Sequence, residues 1–74
     1  MMSTRWHADV ANDPTRDFAL CVDIYEDTRH RATVRRDRAG KLLLVWHPST
    51  GDTPLEVPAE WLRDVLERAS RDLP

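Results

Sequence analysis

The stretch Arg29–Val45, RHRATVRRDRAGKLLLV, limits the fold more than any other part of the chain. It reads as a basic strand, a tight turn and an apolar strand. Asp37-Arg38-Ala39-Gly40-Lys41 suits a type I turn closed by a left-handed residue. Asp at the first position accepts from backbone N–H groups ahead of it, and glycine enters the left-handed region without a Cβ clash. Such a three-residue hairpin loop places Asp37 opposite Lys41. It follows that Val34 lies opposite Leu44, Ala32 opposite Trp46 and Arg36 opposite Leu42 on one face. Arg35 then meets Leu43, Thr33 meets Val45 and Arg31 meets His47 on the other. A slip of one residue would reverse both faces.

Residues 17–26, DFALCVDIYE, alternate with period two. Phe18, Leu20, Val22 and Ile24 share one face, as in a half-buried strand. A two-residue turn at Asp27-Thr28 would set Arg31 opposite Ile24 and mix the faces. An odd loop over 27–29 sets Ile24 opposite Ala32 and Val22 opposite Val34, so this loop is expected. Residues 42–47 form the third strand of the meander. Thr53–Val57 is a candidate fourth strand, placed at an edge by Pro54.

Pro58 suits the start of a helix, where its missing N–H is no loss. Trp61, Leu62, Val65, Leu66 and Ala69 repeat at helical spacing. Opposite charges four residues apart, such as Arg63–Glu67 and Glu67–Arg71, occupy the wet side. A helix over about 58–72 should cover Phe18, Leu20, Val22, Ile24, Ala32, Val34, Leu42, Leu44 and Trp46. The expected class is therefore α+β: a three- to four-stranded antiparallel β-meander with one C-terminal α-helix on one face. Seventy-four residues suit one small domain. Residues 17–74 form it, and residues 1–16, with Asn12-Asp13-Pro14, are expected to be a flexible tail from which Trp6 docks on the body.

Net charge is only −2, but it is unevenly placed: −4 over residues 1–27, +5 over 28–41 and −3 over 42–74. Neighbouring segments thus balance one another, with a basic binding surface as the sharper alternative. The lone Cys21 excludes an intramolecular disulfide and suits a reducing, cytoplasmic setting. No apolar run suits a membrane span, and the N-terminus lacks a signal-peptide core. Ten arginines against one lysine suit a GC-rich, bacterial source.

One helix covers one sheet face. The other carries three expected rows: Tyr25–Arg31–His47, Asp23–Thr33–Val45 and Cys21–Arg35–Leu43. The candidate interaction face is accordingly Tyr25, Arg31, Thr33, Arg35, Leu43, Val45 and His47. Exposed Leu43 and Val45 point to a protein partner, foremost a second copy in a homodimer. The alternative is single-stranded nucleic acid, with Tyr25 stacking a base and Arg29, Arg31 and Arg35 meeting phosphates. Net negative charge and a single aromatic speak against it. A third account folds the tail over this face through Trp6 and Val10.

Catalytic and metal chemistry find little footing. His7, His30, His47 and Cys21 are not at metal-ligand spacing. Cys21 and His47 fall too far apart for a thiolate–imidazole pair. His30 is expected beside Glu26. No glycine-rich phosphate loop exists, so no cofactor is expected and the chain is read as a non-enzyme. Strands followed by a helix opening VPAEWL, with the junction Leu55–Leu62, resemble the plan of single-stranded DNA-binding transcriptional coactivators. That resemblance implies only a sheet-then-helix fold and dimerisation.

Overall fold

The computed structural model describes residues 5–47 and 56–74. Four antiparallel strands form one sheet in the order β1-β2-β3-β4: β1 (Trp6–Asp13), β2 (Ala19–Glu26), β3 (Arg29–Arg36) and β4 (Leu42–Trp46). Helix α1 (Ala59–Asp72) follows. The architecture is the expected α+β meander with a helix on one face. Pro58 stands just before the helix, and its carbonyl accepts the first helical bond, from Leu62 N–H at 3.0 Å.

The β3–β4 hairpin has the expected turn. Asp37 Oδ1 accepts from Ala39 N–H at 2.9 Å and Lys41 N–H at 2.8 Å, and Gly40 sits at φ +83°. The ladder pairs Val34 with Leu44, Thr33 with Val45 and Arg35 with Leu43. Helix-side residues of the two central strands make the core: Val22, Ile24, Ala32 and Val34 pack with Val65, Ala69 and Leu73. Ile24 and Val34 are fully buried.

Three expectations are corrected. First, residues 1–16 hold a full strand where a flexible tail was expected. β1 pairs with β2 from Trp6–Glu26 to Asp13–Ala19 without interruption. The short alternation Trp6-His7-Ala8-Asp9-Val10 carried this signal. Trp6 and Ala8 face the core, and Trp6 meets Trp61 of the helix at 5.8 Å between ring centroids. The segment therefore extends the sheet sideways and does not fold over its outer face. A 3-10 turn (Pro14–Arg16) follows, with Asp13 Oδ1 accepting from Thr15 N–H and Oγ1–H.

Second, the β2–β3 turn is the two-residue one, at Asp27-Thr28, with Asp27 at φ 55°. The core register is nevertheless as expected, Val22–Val34 and Ile24–Ala32. A bulge between Ile24 and Tyr25 reconciles the two, because Tyr25 pairs with His30 and Arg31 is the extra residue. The odd residue expected in the loop lies inside the strand instead.

Third, the helix covers less than expected. Phe18 (65% exposed), Leu20 (41%) and Trp46 (43%) remain open, as does Val10 (54%). A helix about 10 Å across spans the two central strands, since four strands about 4.8 Å apart make a wider surface. Phe18 also lies outside β2, in a connection where Asp17 and Phe18 both have positive φ. The candidate fourth strand at 53–57 lies mostly outside the described residues, and Glu56 and Val57 within it are irregular.

Arg36 fastens helix to sheet. Its guanidinium donates to Leu73 O (3.1 Å) and Ser70 O (2.8 Å) at the helix end, and to Gly40 O (2.8 Å) in the hairpin turn.

Candidate interaction faces

The outer face of the sheet is built by alternation. His7 on β1, Tyr25 on β2, His30 on β3 and His47 just beyond β4 fall in one row. His7 and Tyr25 stack at 4.9 Å with 8° between planes. Tyr25 and His30 lie 5.2 Å apart at 32°, and His30 and His47 4.5 Å apart at 45°. All three histidines and the single tyrosine therefore line up across the sheet.

Beneath the row lies a polar network centred on Thr33, which is buried. Its Oγ1 is 3.1 Å from Asp23 Oδ1, 3.1 Å from His30 Nε2 and 3.0 Å from His47 Nε2. His30 Nε2 is also 3.1 Å from Asp23 Oδ1. The carboxylate only accepts, so the single Thr33 proton goes to Asp23. His47 must then donate its Nε2–H to Thr33, and His30 its Nε2–H toward Asp23. Every member has a partner, and the buried hydroxyl of Thr33 is satisfied.

Of the face expected from sequence, Thr33–Val45 and Arg35–Leu43 are neighbours as read. His47 N–H donates to Arg31 O at 2.8 Å, so these two backbones also meet. Tyr25, however, has His30 opposite it and not Arg31. Arg31 is only 7% exposed; its Nε lies 3.7 Å from Glu26 Oε1 and has no hydrogen-bond partner. The bulge removes this arginine from the open face. His30, expected beside Glu26, joins the Asp23–Thr33–His47 network instead. Leu43 and Val45 are half-buried. His7 and His30 were missed because their place depends on β1 and on the bulge.

His30 presents the same nitrogen to Asp23 and to Thr33, so it cannot relay a proton from one to the other. Burial, and then the Asp23 charge, pushes the Cys21 thiol up to about 11, which leaves it un-ionised near neutrality. Among the described residues no three histidine, cysteine, aspartate or glutamate side chains are grouped to hold a metal ion. No described helix is long and apolar enough to cross a membrane.

The helix-side face carries a second feature. Val10 pairs with Val22, and Asn12 with Leu20, so Val10 and Leu20 are diagonal neighbours at one corner of the sheet. Phe18 lies just before β2, in the connection at that end of the sheet. Its backbone is left-handed (φ 59°), a conformation costing a bulky residue on the order of 1 kcal/mol. Two bonds hold it there: Phe18 N–H donates to Asp13 O at 2.8 Å, and Asn12 Nδ2–H to Phe18 O at 2.9 Å. Beside the corner a groove runs between β1 and α1, lined by Ala8, Val10, Val22, Val65, Arg68 and Asp72 among others.

Comparison with family models, with curated proteins and with solved structures finds no match to this chain.

Proposed function

We propose that this chain is a protein-interaction module that assembles with copies of itself, and that the corner formed by Val10, Phe18 and Leu20 is its main contact. The observation that carries the reading is Phe18, an exposed aromatic held at strained backbone by two hydrogen bonds. Strain persists where surrounding bonds impose it, and an exposed ring in such a place suits an anchor that fills a partner's pocket. Val10 and Leu20 extend it into an apolar patch on a domain too small for a large core of its own. The outer face, first expected to take this role, is less suited to it. Its Leu43 and Val45 are half-buried, and its polar groups satisfy one another.

The nucleic-acid alternative gains rings but loses a cation. Four rings stand where one aromatic was counted. The His7 and Tyr25 faces already pack on each other, so they offer edges more than open platforms for bases. Of Arg29, Arg31 and Arg35, the residues expected to meet phosphates, Arg31 is buried.

Sedimentation equilibrium tests the proposal. The protein should show a concentration-dependent mass, and Phe18→Ser with Leu20→Ser should weaken association at least about tenfold, the loss expected from about 1.4 kcal/mol of buried apolar area. A wild-type chain that stays monomeric up to about 1 mM, where association is worth only about 4 kcal/mol, would remove the reading.

A further inference from the structure

We infer that two copies join edge to edge through β1, antiparallel across a two-fold axis at Val10, so that their sheets form one continuous eight-stranded sheet. The inference rests on the self-association proposed above and specifies its geometry and its partner, a second copy of this chain.

β1 is the first strand of the sheet, and among the described residues nothing pairs with its far side. Such an edge is a row of open backbone donors and acceptors, which proteins ordinarily blunt with lysine, proline or a bulge. β1 has none of these. It runs eight residues in unbroken register with β2, without lysine or proline between Trp6 and Asp13.

The direction of its open groups follows from one bond. Asp27 N–H donates to Arg5 O at 2.7 Å, so Arg5 faces inward to β2. Antiparallel alternation then turns the backbone groups of Trp6, Ala8, Val10 and Asn12 outward. A second β1 must pair through these residues, which also keeps helix-side residues opposite helix-side residues.

Charge selects the register. An axis at Asp9 would set Asp9 against the second copy's Asp9. An axis at Ala11 would set Asp9 against Asp13 twice, and would bring Pro14, which has no N–H, opposite Ala8. An axis at Val10 sets Val10 against Val10, Asp9 against Ala11 and His7 against Asp13. Of these three registers only the one at Val10 avoids like charges facing directly across the seam; an axis at Ala8 avoids them as well, and the axis at Val10 is taken over it because it brings the exposed Val10 of the two copies together.

The same axis fits the apolar corner. Val10 meets its counterpart, and the corner of each copy abuts the Ala8 end of the other copy's groove. Arg68 and Asp72 line that groove with opposite signs.

The test places cysteines on a Cys21→Ser background. At the axis, Val10→Cys faces its own counterpart at about 5.5 Å between Cα atoms, within disulfide range. Asn12→Cys lies four residues, or about 13 Å, from its counterpart and is out of range. Under mild oxidation the first should give a covalent dimer on non-reducing gels and the second, at concentrations where sedimentation shows it associated, should not. In a second arm, Val10→Pro removes an outward N–H that an edge strand can spare within its own sheet, and should weaken association at least tenfold by sedimentation. If Val10→Pro unfolds, the cysteine pair decides alone. A wild-type monomer at every concentration defeats self-association itself. A wild-type dimer in which Asn12→Cys cross-links as readily as Val10→Cys, or neither does, keeps self-association and overturns the β1 seam.

Discussion

Replacing Arg36 by methionine should detach the helix end from the sheet. The guanidinium makes three bonds to carbonyl oxygens, one on the last turn of α1, one on the residue that follows it and one in the β3–β4 turn. The partly buried bond to Leu73 O is worth about 1.5 kcal/mol, and the two exposed bonds, competing with water, about 0.5 kcal/mol each. Methionine keeps most of the apolar stem, so packing loss is small. The expected destabilisation is about 2.5 kcal/mol, or roughly 10–20 °C in Tm for a domain of this size. Urea unfolding followed by tryptophan fluorescence would read it, because Trp6 and Trp61 meet across the sheet–helix boundary. Arg36→Lys should recover only part of the loss, since one ammonium cannot match a planar fork reaching three acceptors. A loss below about 0.5 kcal/mol for Arg36→Met would refute the assignment of Arg36 as the fastening residue.

Three further outcomes follow from the same structure. Thr33→Val leaves Asp23 and His47 short of a partner and should lower stability by about 1–2 kcal/mol in denaturant titration; an unchanged midpoint would show that water replaces the hydroxyl. With its thiol raised to about 11, Cys21 should react with iodoacetamide at pH 8 at least about a hundredfold more slowly in the folded chain than after denaturation. Because the unfolded thiol ionises first, stability should also fall as pH rises from the ordinary thiol range toward 11; equal alkylation rates in the two states would contradict the burial. Asp13 is held below its ordinary value by the Thr15 hydroxyl and N–H. Its stabilising contribution is present above pH 4 and is lost as pH falls through its lowered value, so Asp13→Asn should flatten the acid limb of the stability profile below pH 4.

The parts legible in the sequence were those set by local rules. The Asp37–Gly40 turn follows from residue chemistry at fixed positions, and it carried the whole β3–β4 register with it. The helix follows from its apolar stripe. The pairing of Val22 with Val34 and Ile24 with Ala32 follows from the demand that core residues share a face. That demand fixes parity and leaves open where an odd residue is stored, so the bulge at Arg31 was placed in the loop. The aromatic row depended on this detail, since without the bulge Arg31 and not His30 would stand opposite Tyr25. β1 was lost because five alternating residues were outweighed by the turn formers after them. Arg36 read as one more member of a basic ribbon; its role depends on where the helix ends, a matter of tertiary packing that no local pattern encodes.

The bulge also determines where this hairpin can change length. Between Val22 and Ile24, or between Ala32 and Val34, loss of a single residue inverts the alternation beyond it and turns a core residue out to water. Deletion of Arg31 alone leaves Arg29 opposite Glu26, His30 opposite Tyr25 and Ala32 opposite Ile24, a continuous ladder closed by the same two-residue turn. The turn end of β3 is therefore a place where a residue can be dispensed with while the core face stays intact, and Arg31, whose buried Nε has no hydrogen bond, is the residue whose loss also keeps His30 opposite Tyr25.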